Sequence, residues 1–228
     1  MNFNGFQKMT MLDFPGRIAS TLFSGGCNFR CPFCHNAGLV IGQMPDKIPE
    51  EEILSYLNKR KGVLDGVCFT GGEPLLQKDI AEFMQKVKDM GYKIKLDTNG
   101  SNPEKLIELV RGGLVDYVAM DIKNSKEKYA LTCGTEIDLP AIERAVEFLK
   151  EGSVDYEFRT TIVREFHTES DMIAIGKWIE GAEKYFLQAF VDSGALIGKD
   201  MSPLPKAEME RFMLTLKPFV KKVEIRGI

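Results

Sequence analysis

Three cysteines fall within eight residues, in the run Cys27-Asn28-Phe29-Arg30-Cys31-Pro32-Phe33-Cys34-His35. Gaps of three and then two residues let one loop present three thiolates to a single inorganic centre. Four chemistries compete for this run. The first is a cubane iron–sulfur cluster; four cysteines usually hold one, so three would leave an iron open to a small molecule. The second is zinc with His35 as fourth ligand. Zinc ligands usually come as two separated pairs, and adjacent Cys34 and His35 do not turn easily toward one ion. The third is a dithiol redox site, because Cys31-Pro32-Phe33-Cys34 has the Cys-x-x-Cys form of a glutaredoxin; it leaves Cys27 unused. The fourth is three core cysteines without chemistry, which flanking Gly25, Gly26, Asn28 and Arg30 argue against.

Strand-like and helix-like segments alternate along the chain and must position this loop. Short β-rich runs are expected at 18–23, 67–70, 93–97, 117–122, 156–163 and 185–190, with a last one at 223–225. Helices are expected at 49–60, 78–90, 103–111, 139–150, 170–179 and 206–216. Pro49 and three following glutamates suit a helix N-terminus. Ile80, Phe83, Met84 and Val87 recur at helical spacing, and Gly91 suits a C-cap. Repeated strand-then-helix units imply a mainly parallel sheet with right-handed crossovers. A complete eight-unit barrel takes about 250 residues, whereas this chain of 228 offers about six units and a terminal strand. The expected fold class is α/β, a partial, open (β/α)6 TIM-like barrel; a doubly wound open sheet is the alternative. One domain over 1–228 is expected, with a lead-in at 1–16 and a C-terminal helix and short strand at about 203–228. In either architecture ligands gather at the C-terminal strand ends. The cysteine loop follows the first expected strand, Gly71-Gly72-Glu73-Pro74 the second and Thr98-Asn99-Gly100 the third; Asp121 and Lys123 end the fourth.

Composition narrows the class. Hydrophobic residues are 44% and charged residues 28%, as in ordinary globular chains. Thirty Lys and Arg against 33 Asp and Glu give a net charge of −3, without the basic excess of a protein that coats nucleic acid. No apolar run approaches the roughly 20 residues of a membrane span. The opening lacks the basic start and apolar core of a secretory signal. A cytoplasmic protein is expected, with neither nucleic acid nor membrane as partner. In a reducing compartment, a cysteine cluster points to metal or redox chemistry rather than a disulfide frame.

The pattern Cys-x3-Cys-x-aromatic-Cys, with Phe33 as the aromatic, resembles the radical S-adenosylmethionine enzymes. Gly71-Gly72-Glu73-Pro74 resembles their glycine-rich motif. CNFRCPFCHN, TGGEPLL, LDTNG and AMDIK stand in the order found in glycyl-radical-enzyme activating proteins. The opening GFQKMTMLDFPGRIASTLFSGGCNFRC is most similar to anaerobic ribonucleoside-triphosphate reductase activating proteins. It departs from the pyruvate formate-lyase activating enzyme at Asp13-Phe14-Pro15-Gly16, where that enzyme has Asp-Gly-Pro-Gly. The resemblance spans about residues 5–190, with weak sites after 165, and no second cysteine-rich insertion is present.

This resemblance implies a radical SAM barrel holding a [4Fe–4S] cluster on Cys27, Cys31 and Cys34. The open iron chelates the methionine end of S-adenosyl-L-methionine. One electron, from a reduced flavodoxin or ferredoxin, cleaves a carbon–sulfur bond and releases a 5′-deoxyadenosyl radical. The implied partner is a glycyl radical enzyme, first of all anaerobic ribonucleotide reductase. Phe33 and His35 would lie near the adenine, with packing and loop ordering as their plainer roles. Gly71 and Gly72 would approach the methionine ammonium, Glu73 would accept from it or order its loop, and Lys123 would meet the carboxylate. Thr98 and Asn99 would lie at the same rim. Asp97, Thr98, the Ala119 carbonyl and Asp121 would hold a monovalent cation, sodium or potassium; neutralisation by Lys123 alone is the alternative. Arg159 would reach the ribose or a carboxylate, and Gln188 the adenosine side. Cys68 reads as core, and Cys133 and His167 as residues without a chemical role.

The leading reading is an activase that abstracts hydrogen from a partner's backbone glycine. A radical enzyme acting on a small molecule would need lid segments, for which the chain after residue 190 offers few candidates. A thiol–disulfide or zinc-binding module is the reading outside the family. The segment Asp13-Phe14-Pro15-Gly16-Arg17 would line the barrel mouth through which a partner's loop enters, or form a turn.

Overall fold

Neighbouring parallel strands run in the same direction, so each such strand must be joined to the next by a return path along the outside. A computed structural model of the chain describes residues 1, 3–41, 45–192 and 194–228. Its strands form one sheet in sequence order. They are β1 (Phe3–Thr10), β2 (Ala19–Ser24), β3 (Gly66–Gly71), β4 (Lys93–Thr98), β5 (Tyr117–Asp121), β6 (Asp155–Ile162), β7 (Lys184–Ala189) and β8 (Lys222–Arg226). β1 runs antiparallel to β2, and every later neighbour is parallel. Among the described residues β1 and β8 are the two edges, so the sheet curls without closing.

The longer helices are α2 (Glu50–Lys59), α3 (Ile80–Asp89), α4 (Pro103–Arg111), α6 (Leu139–Lys150), α7 (Glu169–Trp178) and α8 (Lys206–Leu216), with α1 (Ala37–Val40) and α5 (Tyr129–Cys133) as single turns. The expected spans at 103–111, 139–150 and 206–216 coincide with α4, α6 and α8. The start of α7 is fixed by a capping box, in which Thr168 accepts from Asp171 N while the Asp171 carboxylate accepts from Thr168 N. Apolar helix faces such as Ile80, Phe83, Met84 and Val87 are fully buried against the sheet.

The strands alternate in a way parallel strands usually do not, since both faces of such sheets are commonly apolar. In β4, Ile94 and Leu96 join the core under the helices, whereas Lys95 and Asp97 point into the lumen. β6 repeats this with Tyr156 and Phe158 outside and Glu157 and Arg159 inside. Side chains alternate faces with period two, so the outer face makes the core and the inner face makes a polar interior.

One feature departs from expectation, and one open reading is decided. The lead-in contains a strand, β1, whose exposed Gln7, Lys8 and Met9 give no apolar alternation. The segment 13–17 is a turn at the N-terminal strand ends, opposite the loop mouth. Arg17 N donates to Phe14 O at 3.1 Å, and Gly16 takes φ +70°. The Phe14 ring is 2% exposed and packs with Ala19 and Tyr117, the first residues of β2 and β5. A Cβ on Gly66, the first residue of β3, would stand 2.9 Å from that ring. Among the described residues no helix is long and apolar enough to cross a membrane.

Phe14 thus plugs the lower end of the sheet from a loop. Phe14→Ala is expected to cost about 3–5 kcal/mol, the usual range for a buried phenylalanine, read as a lowered urea midpoint. A loss under about 1 kcal/mol would show that the plug is not part of the packed structure.

Candidate active site

The C-terminal ends of β2, β3, β4 and β5 lead into loops that enclose a cavity of about 220 Å³. Cys27, Cys31 and Cys34 line it, together with Gly71, Gly72, Glu73, Asp97, Thr98, Asn99, Asp121, Lys123, Arg159 and Gln188. Phe33 and His35 line it as well. The sequence-derived set therefore converges, with Ala119 beneath it on β5 in register with Asp97. Asn36, Thr70 and Thr161 also line the cavity; none had been given a role, although Asn36 closes one quoted motif and Thr70 opens another.

The cysteine loop is held from several sides. Gly26 N donates to Leu39 O at 2.8 Å, and Arg30 N to Cys133 O at 2.8 Å. Phe29 N approaches the Cys27 sulfur at 3.3 Å. All five cysteines are free thiols. Burial pushes Cys27 up to about 11 and raises Cys34. Cys31 is lowered to about 7, chiefly by a hydrogen bond from Cys133, whose own thiol is pushed far up by that contact. Cys133 is therefore a close neighbour of the cluster of thiols. The His35 ring lies against Phe190 at 5.7 Å. Phe33 is 4% exposed, against Phe166 and His167. Among the described residues no three His, Cys, Asp or Glu side chains converge on one bare ion. A cubane asks for something different, three thiolates spread over separate irons, and a loop of three free thiols at the cavity wall fits it.

The glycines are required by close approach. A Cβ on Gly72 would stand 1.9 Å from Gly26 O, and one on Gly71, whose φ is +113°, would stand 2.5 Å from Ser24 N. Bare backbone thus brings the β3 loop onto the cysteine loop. Glu73 locks a third loop to them. Its Oε1 accepts from Leu75 N at 3.1 Å and Thr98 Oγ1 at 2.8 Å, and its Oε2 from Asn99 N at 2.7 Å. Burial pushes its carboxyl up to about 7, and these three hydrogen bonds hold back a larger rise. Of its two expected tasks, ordering the loop is the one its hydrogen bonds perform. Asn99 completes the tie by donating to Asn28 Oδ1 at 2.9 Å.

Below these loops lie the buried carboxylate of Asp97 and the half-buried one of Asp121. Arg159 NH2 stands 3.1 Å from Asp97 Oδ2, and its Nε donates to Asp121 Oδ1. Lys123 Nζ donates to Asp121 Oδ2 at 2.9 Å, and Lys95 Nζ to Asp97 Oδ1. Burial works to raise both carboxyls. Arg159 on both, with Lys95 on Asp97 and Lys123 on Asp121, reverses this and holds each below the usual carboxylate range. This corrects one expectation: Lys123 does not neutralise the pair alone, since Arg159 and Lys95 stand on the two carboxylates with it. Thr98, which the resemblance placed at a cation site, donates its hydroxyl to Glu73. Arg159 spends its guanidinium on carboxylates, one of its two expected roles.

His167, read as having no role, braces Lys123 from behind. Val163 N donates to its Nδ1 at 3.1 Å, so its Nε2–H donates to Lys123 O at 2.9 Å. Burial lowers its pKa and keeps it neutral.

A second cavity, of about 540 Å³, meets the first across Asp97, Arg159 and Gln188. Leu12, Asp13, Pro15, Lys95, Glu157, Arg226 and Gly227 complete its lining. The 13–17 turn therefore borders an opening, but not the loop mouth. Met9, Met11 and Leu12 beside it are 59%, 73% and 91% exposed.

Residues 21–179 match the Radical SAM superfamily. Over 233 residues the chain is 32% identical to a protein of Methanocaldococcus jannaschii, covering 99% of this chain and 95% of that one. That relative's own assignment, glycyl-radical enzyme activating enzyme, is provisional. The chain is 31% identical over 126 residues to the pyruvate formate-lyase-activating enzyme of Clostridium pasteurianum, covering 53% of this chain and 52% of that one. In fold it is similar to Streptococcus suis SuiB bound to S-adenosylmethionine, with a TM-score of 0.69 at 13% identity over 88% of this chain and 48% of that one.

The paired carboxylates set an acid limit on stability. With both pKa values depressed in the folded state, the unfolded chain takes up protons first as pH falls. Their contribution is complete above about pH 4 and is lost progressively below it. The urea midpoint of the cluster-free protein should fall through that window, and Asp97→Asn should start lower at neutral pH and fall less steeply. Equal slopes in the two proteins would contradict the assignment.

Proposed function

This chain belongs to the radical SAM superfamily, and from that premise we propose that it is an activase that generates a glycyl radical on a partner enzyme. Anaerobic ribonucleoside-triphosphate reductase is the proposed partner, and a reduced flavodoxin or ferredoxin the proposed electron donor. The observation that carries the reading is the pair of cavities meeting at Asp97, Arg159 and Gln188. One is walled by the three thiols; the other opens beside the exposed Met11 and Leu12. A radical on a primary carbon attacks whatever is near, so the target hydrogen must be held within roughly 3–3.5 Å of the reacting atom. A partner loop entering by the second cavity would reach the junction while the cofactor occupies the first. The similarity to activating enzymes supports the same reading.

In this proposal Cys27, Cys31 and Cys34 hold a [4Fe–4S] cluster. Once bound, the cluster supplies the electron that cleaves S-adenosylmethionine. The protein's own part is placement and electrostatics. The Gly71-Gly72 backbone approaches the methionine ammonium closely, and Glu73 fixes that loop against Thr98 and Asn99. Lys123, braced by His167, offers its ammonium to the methionine carboxylate, a charge-assisted pairing. Gln188 lies on the adenosine side, between the cofactor and the entering loop.

Anaerobic reconstitution should give about four irons per chain. Cys27→Ala, Cys31→Ala and Cys34→Ala should each lose the cluster and cofactor cleavage, and Cys68→Ala should keep both. Mixed without oxygen with S-adenosylmethionine and anaerobic ribonucleotide reductase, the reduced protein should produce a doublet in the electron paramagnetic resonance spectrum of the partner. The doublet should vanish when the partner's radical-site glycine is alanine. Turnover of a free small molecule, with no radical on any candidate protein, would replace the activase with a stand-alone radical enzyme.

A further inference from the structure

Lys95 is a buried cation to which the reading above gives no task. Its side chain is 3% exposed, and its ammonium sits on Asp97 Oδ1. It lines the second cavity and not the first. From it a row of alternating charges crosses the lumen: Lys95, Asp97, Arg159, Asp121, Lys123. Asp97 and Arg159 border both cavities, and Asp121 and Lys123 border the first. Three positive groups against two negative ones leave one positive charge over, and the row ends in the cofactor cavity at Lys123.

The middle of the row is a shared group. Arg159 gives NH2 to Asp97 at 3.1 Å and Nε to Asp121. A guanidinium shared between two carboxylates is drawn to the one that is less neutralised. With Lys95 on Asp97, Arg159 keeps its Nε on Asp121. Asp121 then needs only one further donor, and Lys123 supplies it at 2.9 Å with two ammonium hydrogens to spare. Without Lys95, Asp97 becomes a buried carboxylate short of one positive charge, a costly state. Arg159 shifts toward it, and Lys123 is pulled onto Asp121 and away from the cavity. Cys68 supplies no substitute. Its thiol lies 3.8 Å from both Lys95 Nζ and Asp97 Oδ1 and carries no positive charge.

We propose that Lys95 is a tethered counter-cation which, through Asp97, Arg159 and Asp121, positions Lys123 for the anionic carboxylate of S-adenosylmethionine. This rests on the cofactor reading of the first cavity and not on the identity of the radical's target. Lys95 is a positioning residue, since it lies outside the cavity where the cofactor would sit.

Lys95→Met keeps most of the stem and removes the charge. In a buffer whose salt is choline chloride, the reconstituted variant should keep its iron yet bind S-adenosylmethionine about tenfold more weakly than wild type, a normal size for coupling between separate groups. Anaerobic titration calorimetry reads this. Potassium or sodium chloride at equal ionic strength should restore binding to Lys95→Met, as should ethylammonium to Lys95→Ala, and wild type should respond to none of them. A second readout needs no cofactor: the thermal midpoint of cluster-free Lys95→Met should rise when potassium replaces choline, and that of wild type should not. If the variant folds only with potassium present, that is the same result in stronger form. Wild-type binding by Lys95→Met in choline, or a loss of binding or folding that no small cation recovers, would overturn the proposal. A missing glycyl radical on the partner would remove the activase reading and leave this one standing.

Discussion

Charge taken out of water must be matched by charge, and the interior of this sheet is arranged around that constraint. Arg159 is the point where it is met, one guanidinium against two carboxylates from different strands. An unpaired carboxylate at this depth would be several kcal/mol less favourable. The alternation of β4 and β6 follows from the need to deliver these partners inward while Ile94, Leu96, Tyr156 and Phe158 stay in the core. Glu157 meets the same constraint lower in the lumen, where Arg226 from the edge strand holds both its oxygens at 2.6 and 2.9 Å. The lumen is therefore a polar interior whose carboxylates are each paired, with one positive charge left over.

The rim above depends on a different economy, that of space. Gly71 and Gly72 let three loops meet where side chains would collide, and Glu73 binds them with a carboxylate that accepts from two loops at once. Together the rim and the lumen give each charged group a fixed direction. Lys123 is the meeting point of both, tied to Asp121 by its ammonium and to His167 by its carbonyl.

Much of this was legible from residue order. The strands with β-rich runs ending in glycine or polar loops were recoverable, and so were α4, α6 and α8, because period and end signals agree there. The three cysteines, the Gly71-Gly72 pair and the Asp97 and Lys123 strand ends were legible as neighbours, since parallel strands put their C-terminal ends on one rim. β1 was not, because an edge strand with an exposed outer half shows no alternation. α1 and α5 are too short for any period to register. Lys95 read as an ordinary strand residue, and only the tertiary structure shows its ammonium on Asp97. His167 and Cys133 lie far along the chain from the loops they touch, and nothing local marks such contacts. The 13–17 turn gave two readings, and Phe14's burial against Ala19, Gly66 and Tyr117 chose the turn while leaving Asp13 and Pro15 on a cavity wall.

The central claim is that hydrogen leaves a partner's glycine inside this lumen and arrives on the cofactor's 5′ carbon. Isotope transfer tests it most directly. The partner enzyme is prepared with deuterium on its glycine α-carbons and mixed anaerobically with the reduced protein and unlabelled S-adenosylmethionine. The released 5′-deoxyadenosine is then weighed by mass spectrometry. The account predicts one deuterium per molecule, lost when the partner's radical-site glycine is replaced by alanine. Cleavage that yields only unlabelled 5′-deoxyadenosine in the presence of the intact partner would contradict it.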